Sequence, residues 1–341
     1  MRVAMYYKNK DIKVEEMPIP KIGPGEVLLK SLACGVCGSD VMEWYRIKKA
    51  PLVLGHEAAG VITEIGEGVE RFKIGDRVFV SHHVPCNTCH YCLGGNHTVC
   101  DTLRTTNFYP GGFAEFIRVP QINVDRGVFH LPDDMSFEEG TLIEPLACVI
   151  RGHRLVKMEP GQTVVVLGSG ISGLLQIMLA RATGAGTIIA TDINSHRLDF
   201  AKKVGADFVI PANEDVPSQI LKINNNRLAD RVIASTGALP ALKTAMRSVD
   251  RAGTVLFFAP TEPGIELPVP FNDLWRNCIN LMQTYGAAPL DIEVAIDLIA
   301  SRRISVREMI THRLGLADTG RGFQLVTDAK ESVKVVIEPH T

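Results

Sequence analysis

Between Thr163 and Gly184 the chain reads as a β-branched apolar run, TVVVLG, then three glycines spaced Gly168-x-Gly170-x-x-Gly173, then a helical run, LLQIMLARATG. Few folds accept that order. G-x-G-x-x-G alone is weak evidence, but a strand directly before it and a helix directly after make it strong. The glycines permit a tight turn, close approach of backbone to a pyrophosphate and packing of helix on strand, while the helix N-terminus supplies partial positive charge. Apolar and helical stretches continue to alternate through TIIATD, RLDFAKKVG, DFVIP, ADRVIAS, ALKTAMRSV and TVLFFA. This is a βαβ series, which implies a parallel sheet covered by helices. Asp192 ends the next strand, 19 residues after Gly173. A carboxylate there can accept from both adenosine ribose hydroxyls and repels a 2′-phosphate, so NAD is favoured over NADP. Arg197 has three readings: it meets a phosphate, lies over the adenine, or stands on a solvated helix face.

The first 150 residues differ in texture, with Gly and Pro punctuating short β-branched runs such as GEVLLKSLACGV and GDRVFVSHH. An irregular, mostly β domain is expected there. Four of the chain's eight cysteines, Cys86, Cys89, Cys92 and Cys100, follow C-x2-C-x2-C-x7-C. The short gaps let three thiolates of one loop converge on an ion and the longer gap brings back the fourth, so the spacing reads as a closed structural zinc site. An iron–sulfur cluster and a disulfide pair are the rival readings. Earlier in the chain, Cys34-Gly-Val-Cys37-Gly-Ser39-Asp40 and Gly55-His56-Glu57 offer the mixed thiolate, imidazole and carboxylate set that open zinc sites use. Taken alone, Cys34 and Cys37 would serve equally as a redox pair, and His56 as a core histidine. The tail from about Asp291 reads helix, then strand, and would return to the first domain.

With 341 residues, 46% of them hydrophobic, the chain supports about two domains with sizeable cores. A net charge of −2 gives no basic field for nucleic acid or an anionic membrane, which leaves a small molecule as the expected partner. The N-terminal MRVAMYYKNKDIKVEE lacks an export signal, and no apolar run reaches membrane-spanning length. Clustered thiols without an export signal point to a reducing cytoplasm and to metal ligation.

Gly55-His56-Glu57-x2-Gly60-x5-Gly66-x2-Val69, followed by Gly75-Asp76-Arg77-Val78, resembles the zinc signature of the medium-chain alcohol dehydrogenase superfamily. The four-cysteine lobe, Glu144-Pro145-Leu146 and the glycine fingerprint follow in that family's order, so the resemblance spans essentially the whole chain. Within the superfamily the chain is most similar to the polyol (sorbitol-type) and threonine dehydrogenase branch. The resemblance implies an α/β protein with a GroES-like β-rich catalytic domain at 1–149 and 290–341, carrying the lobe at about 82–104, and a Rossmann doubly wound parallel-sheet domain at 150–289. It implies two zinc ions per chain, NAD, and a homotetramer or homodimer. Cys37 and His56 match the constant ligands of the catalytic zinc, Glu57 the adjacent carboxylate ligand, and Glu144 a residue that holds the zinc-bound water or exchanges with it. Ser39 matches the hydroxyl that starts the proton relay. Gly168, Gly170, Ser172, Gly173, Asp192 and Arg197 match pyrophosphate and adenosine contacts, and Thr284 and Tyr285 lie where backbone meets the nicotinamide amide.

The implied reaction is NAD-dependent, zinc-dependent oxidation of a secondary hydroxyl on a polyol, sugar derivative or cyclitol to a ketone. Threonine-type oxidation is the nearest alternative, and a zinc-free or non-catalytic nucleotide-binding relative is the alternative of another class. Two departures weaken a sorbitol or threonine assignment: the relay histidine position is Met42, and the segment Gln283-Thr284-Tyr285-Gly286-Ala287 contains no arginine. His82, His83, Trp44, Tyr45 and Phe108 would line a pocket or simply pack. Cys34, Cys148 and Cys278 read as small buried apolar residues. Lys202-Lys203 reads as a solvated face, and Lys334 as an exposed strand lysine that would reach a cofactor phosphate at most.

Overall fold

A computed structural model describes residues 1–341. The chain divides into two compact units, Met1–Ala147 with Ala287–Thr341, and Cys148–Gly286. The fold is α/β: a GroES-like, β-rich first unit and a doubly wound second unit with a parallel sheet.

The first unit is organised by the strand Val27–Gly35, buried along most of its length. It pairs antiparallel with Glu57–Ile65, Phe116–Val119 and Lys334–Glu338. The main sheet runs Ile310–Gly315, Lys334–Glu338, Val27–Gly35, Glu57–Ile65, Arg77–Ser81, Val128–His130. A smaller three-stranded sheet orders Asp11–Glu16, Arg2–Lys8 and Leu52–Val53. Their apolar faces close a core that includes Val3, Tyr6, Leu29, Ile62, Val80, Phe113 and Ile337. Burying each such side chain contributes about 1.5–3 kcal/mol before chain entropy is subtracted. Lys334–Glu338 is thus an interior strand supplied by the last residues of the chain.

In the second unit six parallel strands occupy one sheet: Thr163–Leu167, Thr187–Asp192, Phe208–Pro211, Ala229–Ala234, Val249–Phe257 and Asn280–Gln283. Their spatial order is third, second, first, fourth, fifth, sixth, so the direction of winding reverses at the first strand. A ligand crevice forms at such a switch point, beyond the carboxyl ends of the strands. Thr163–Leu167 is buried at all five positions, which explains its uninterrupted apolar run. It leads through Gly168, whose φ of +91° suits a residue without Cβ, into the helix Ile171–Ala182. A Cβ on Gly173 would run into the Gly168 carbonyl, so the third glycine is a packing requirement.

Candidate metal centres and cofactor site

The first centre follows from strand register. Gly35, the last residue of Val27–Gly35, lies opposite Glu57, the first residue of its antiparallel neighbour. Cys37 therefore leaves one strand where His56 enters the next. The Cys37 sulfur, a His56 ring nitrogen and a Glu57 carboxylate oxygen all lie within 4.8 Å of one another. Glu144, on the first turn of the helix Ile143–Leu155, lies outside that close group, though near enough to act on Lys334.

Asp40, fully buried, stands behind this trio. One of its oxygens accepts from the Cys37 N–H at 3.1 Å, and the other lies 3.2 Å from His56 Nδ1. With Nδ1 engaged, Nε2 is the ring nitrogen left for the Cys37 side, the arrangement by which a carboxylate orients a ligating histidine. The Ser39 N–H points at the Cys37 sulfur at 3.4 Å. Burial opposes charge on both partners, yet Asp40 and the Cys37 sulfur hold the His56 pKa well above its ordinary value. His56, Arg46 and the Cys37 N–H likewise bring Asp40 below its usual range against the opposing effect of burial.

Glu57 has a second partner, Lys334. Each is about 1% exposed, and the Lys334 ammonium pairs with Glu57 Oε2. Gly35 makes this possible, since a Cβ there would meet both the Glu57 carboxylate and the lysine end. The expectation of an exposed strand lysine is corrected: burial works against its charge, but Glu57 and Cys37 raise its pKa overall. One ammonium thus offsets one of the carboxylates near the trio. Thiolate, imidazole and carboxylate, with a hydrogen-bonded carboxylate behind the imidazole, fit an open zinc site.

The second centre is the four-cysteine lobe. Cys86, Cys89, Cys92 and Cys100 bring their sulfurs within 4.8 Å of one another, with separations of 3.5 Å for Cys89–Cys92, 3.6 Å for Cys86–Cys100 and 3.9 Å for Cys86–Cys92. Zinc–sulfur bonds of about 2.3 Å place tetrahedral sulfurs about 3.8 Å apart. All eight cysteines are free, so the disulfide reading fails. The N–H groups of Thr88 and Cys89 approach the Cys86 sulfur and pull that thiol down to about 5, favouring the thiolate.

In the second unit Asp192 sits at the end of its strand, nearly buried. Its two oxygens accept from the Ser169 N–H at 2.7 Å and the Asn194 N–H at 2.9 Å. Each keeps a lone pair for a ribose hydroxyl. Arg197 lies beside this carboxylate at 3.9 Å, with its guanidinium over Gly170 and its buried Nε unpartnered. Ser172 and Gly173 form the first helical turn, whose N–H groups no helical carbonyl can satisfy. Thr284 and Tyr285 directly follow the sixth strand, and the Thr284 hydroxyl is buried without a partner. So is the hydroxyl of Ser235, directly after the fourth strand. Orphaned polar groups at the carboxyl ends of the strands, with a glycine turn between, fit a dinucleotide.

Around the first centre, the His82 ring lies 4.8 Å from that of His56 and 3.8 Å from that of His83, and its buried Nδ1 has no partner. Burial and neighbouring cations push both His82 and His83 down, His83 to about 4. Phe108 is buried at 6.4 Å from His82, whereas Tyr45 is exposed. Cys34 is buried, Cys148 half-buried and Cys278 exposed at a positive φ of 53°, so the expectation of a buried Cys278 is corrected. Sequence reasoning passed over Asp40's contact to His56, Arg46 and Ser235. Only Ser235 left a visible signal, as the polar residue closing ADRVIAS.

Residues 23–133 match the family described as the alcohol dehydrogenase GroES-like domain, and residues 172–301 the family described as zinc-binding dehydrogenase. The chain is 34% identical over 352 residues to a sorbitol dehydrogenase of Bacillus subtilis, covering 100% of this chain and 98% of the relative. It is 33% identical over 343 residues to a protein named probable D-xylulose reductase A in Emericella nidulans, covering 96% and 93%. Among solved structures, a zinc-binding dehydrogenase from Sinorhizobium meliloti bound to NADP superposes with a TM-score of 0.89 at 28% identity, covering 99% of each chain.

Proposed function

This chain belongs to the zinc-dependent medium-chain alcohol dehydrogenase superfamily, on its polyol branch, and from that premise we propose that it oxidises a secondary hydroxyl of a polyol, sugar derivative or cyclitol to a ketone with NAD. The observation that carries this reading is the Cys37–His56–Glu57 trio with Asp40 behind His56. Zinc, when bound, acts as a Lewis acid on the substrate hydroxyl, and NAD, when bound, accepts the hydride. Cys37, His56 and Glu57 would hold the reactive ion, with Glu144 exchanging beside them, and Cys86, Cys89, Cys92 and Cys100 a second, structural ion.

Ser39, two residues from Cys37, takes the substrate proton and passes it on; with Met42 three residues later, no imidazole follows it on this segment. Gly168, Gly170, Ser172 and Gly173 cradle the pyrophosphate, and Asp192 takes the adenosine ribose with Arg197 beside it. Thr284 and Tyr285 orient the nicotinamide amide. The Asp192 carboxylate supports NAD over NADP, because a 2′-phosphate would approach a buried negative charge.

The exposed Ile265, Val269, Phe271 and Trp275, which lead into the edge strand Asn280–Gln283, support a homo-oligomer. Eight free cysteines support a cytoplasmic setting. No helix is long and apolar enough to cross a membrane.

The test is NADH formation at 340 nm over polyols, cyclitols, sugar acids, L-threonine and simple secondary alcohols, repeated with NADP. Turnover confined to a polyol-like class with NAD is expected. Turnover of L-threonine alone, or none from a fully metallated sample that binds NAD, would refute the reading.

A further inference from the structure

Met42 holds the place three residues after Ser39, and the short helix Glu43–Arg46 that follows folds its last side chain back over Ser39. Arg46 Nη2 lies 3.0 Å from Ser39 Oγ and Nε lies 3.0 Å from the Ser39 carbonyl oxygen. The same Nη2 lies 3.4 Å from Asp40 Oδ1, the oxygen that also contacts His56 Nδ1 at 3.2 Å. The Arg46 side chain is only 15% exposed and is stacked over the Tyr45 ring at 4.6 Å. One planar fork therefore spans the backbone of Ser39, its hydroxyl and the carboxylate that orients His56.

We propose that Arg46 is a positioning residue for the reaction, fixing the direction of the Ser39 hydroxyl and, through Asp40, the orientation of His56. This inference rests on the function proposed above. A serine hydroxyl has one proton to give and two lone pairs. Arg46 occupies one lone pair, which leaves the other to receive the substrate proton as the hydroxyl proton moves on. The guanidinium itself does not give up or accept that proton, because it stays charged throughout the working pH range. Arg46 thus supplies order and positive charge beside Ser39, and the proton leaves by another route. Lysine would keep the charge but lose the fork, since a single ammonium has no rigid pair of donors matched to these acceptors.

The test uses the full chain with both metal sites filled, comparing Arg46→Gln, Arg46→Lys, Ser39→Ala and the double variant Ser39→Ala with Arg46→Gln. Arg46→Gln is expected to lower kcat about 10- to 100-fold with little change in KM, and the double variant to be no worse than Ser39→Ala alone. In a further variant, Arg46→Ala, whose truncated side chain leaves room for the free cation, millimolar guanidinium is expected to restore part of the activity, and none of that of Ser39→Ala. A readout independent of turnover is chelator competition for cobalt(II), followed by its visible absorption. Arg46→Gln should weaken the Cys37–His56–Glu57 ion about tenfold and leave the four-cysteine ion unchanged. Additive losses in the double variant together with unchanged cobalt affinity would overturn the proposal. If the parent chain turns over no alcohol, the function falls, and unchanged cobalt affinity by itself then overturns the inference. Should Arg46→Gln fail to fold, Arg46→Lys carries the same comparisons.

Discussion

Lys334 shows what one residue's surroundings decide. In VKVVIEP it reads as an ordinary strand lysine, because nothing nearby in sequence announces Glu57, 277 residues earlier. In metal-free protein, replacing Lys334 by Met leaves Glu57 buried and uncompensated, and should cost about 3–5 kcal/mol in thermal or denaturant unfolding. Gly35→Ala should destabilise by about 1–3 kcal/mol, since its Cβ must displace that pair. The sequence also singled out Cys37, His56 and Glu57, which lie together in space, because ligand chemistry leaves a signature in residue type. Arg46 left none, because its role depends on where a four-residue helix turns its side chain. Asp192 was singled out from its place at the end of a strand. Asp192→Ser should raise the ratio of kcat/KM for NADP to that for NAD at least tenfold, which initial-rate kinetics with the two cofactors would read.

Among the elements, the helices Ile143–Leu155 and Ile171–Ala182 carry a buried pair that the apolar pattern conceals. His153 and Gln176 are buried, and neither side chain makes a well-formed hydrogen bond. Burial pushes the His153 pKa down to about 4, against a smaller upward pull from Gln176. As pH falls below about 6.5 the unfolded chain binds this proton first, so stability present above that pH is lost progressively down to about pH 4. The loss is at most about 3 kcal/mol, and His153→Leu should flatten the fall of Tm across that window. The strands and the glycine turn of the second unit were readable because buried parallel strands are uniformly apolar. The four-cysteine lobe was readable from spacing alone, although its helices His90–Leu93 and Asp101–Thr105 are too short to leave a periodic pattern. Cys89→Ser should remove about one bound metal ion per chain and lower Tm, as metal analysis and calorimetry would show.

For the whole molecule, the decisive fact is that the first unit is built from both ends of the chain. Its strand Lys334–Glu338 sits between Ile310–Gly315 and Val27–Gly35, so a chain stopped before residue 334 should lose the folded first unit, seen as rapid proteolysis of that part. Pattern reading identified a returning tail but not its interior position, because strand order is set by long-range pairing rather than by local sequence. The balanced charge and the two ligand clusters belong to one account, a metal-centred oxidation of a neutral polyol. Its most direct test is a titration that follows metal content and NAD-linked polyol turnover together as a chelator is added. The account predicts two ions per chain, with turnover disappearing in step with the more weakly held one and returning when zinc is restored. Full turnover in metal-free protein would contradict it.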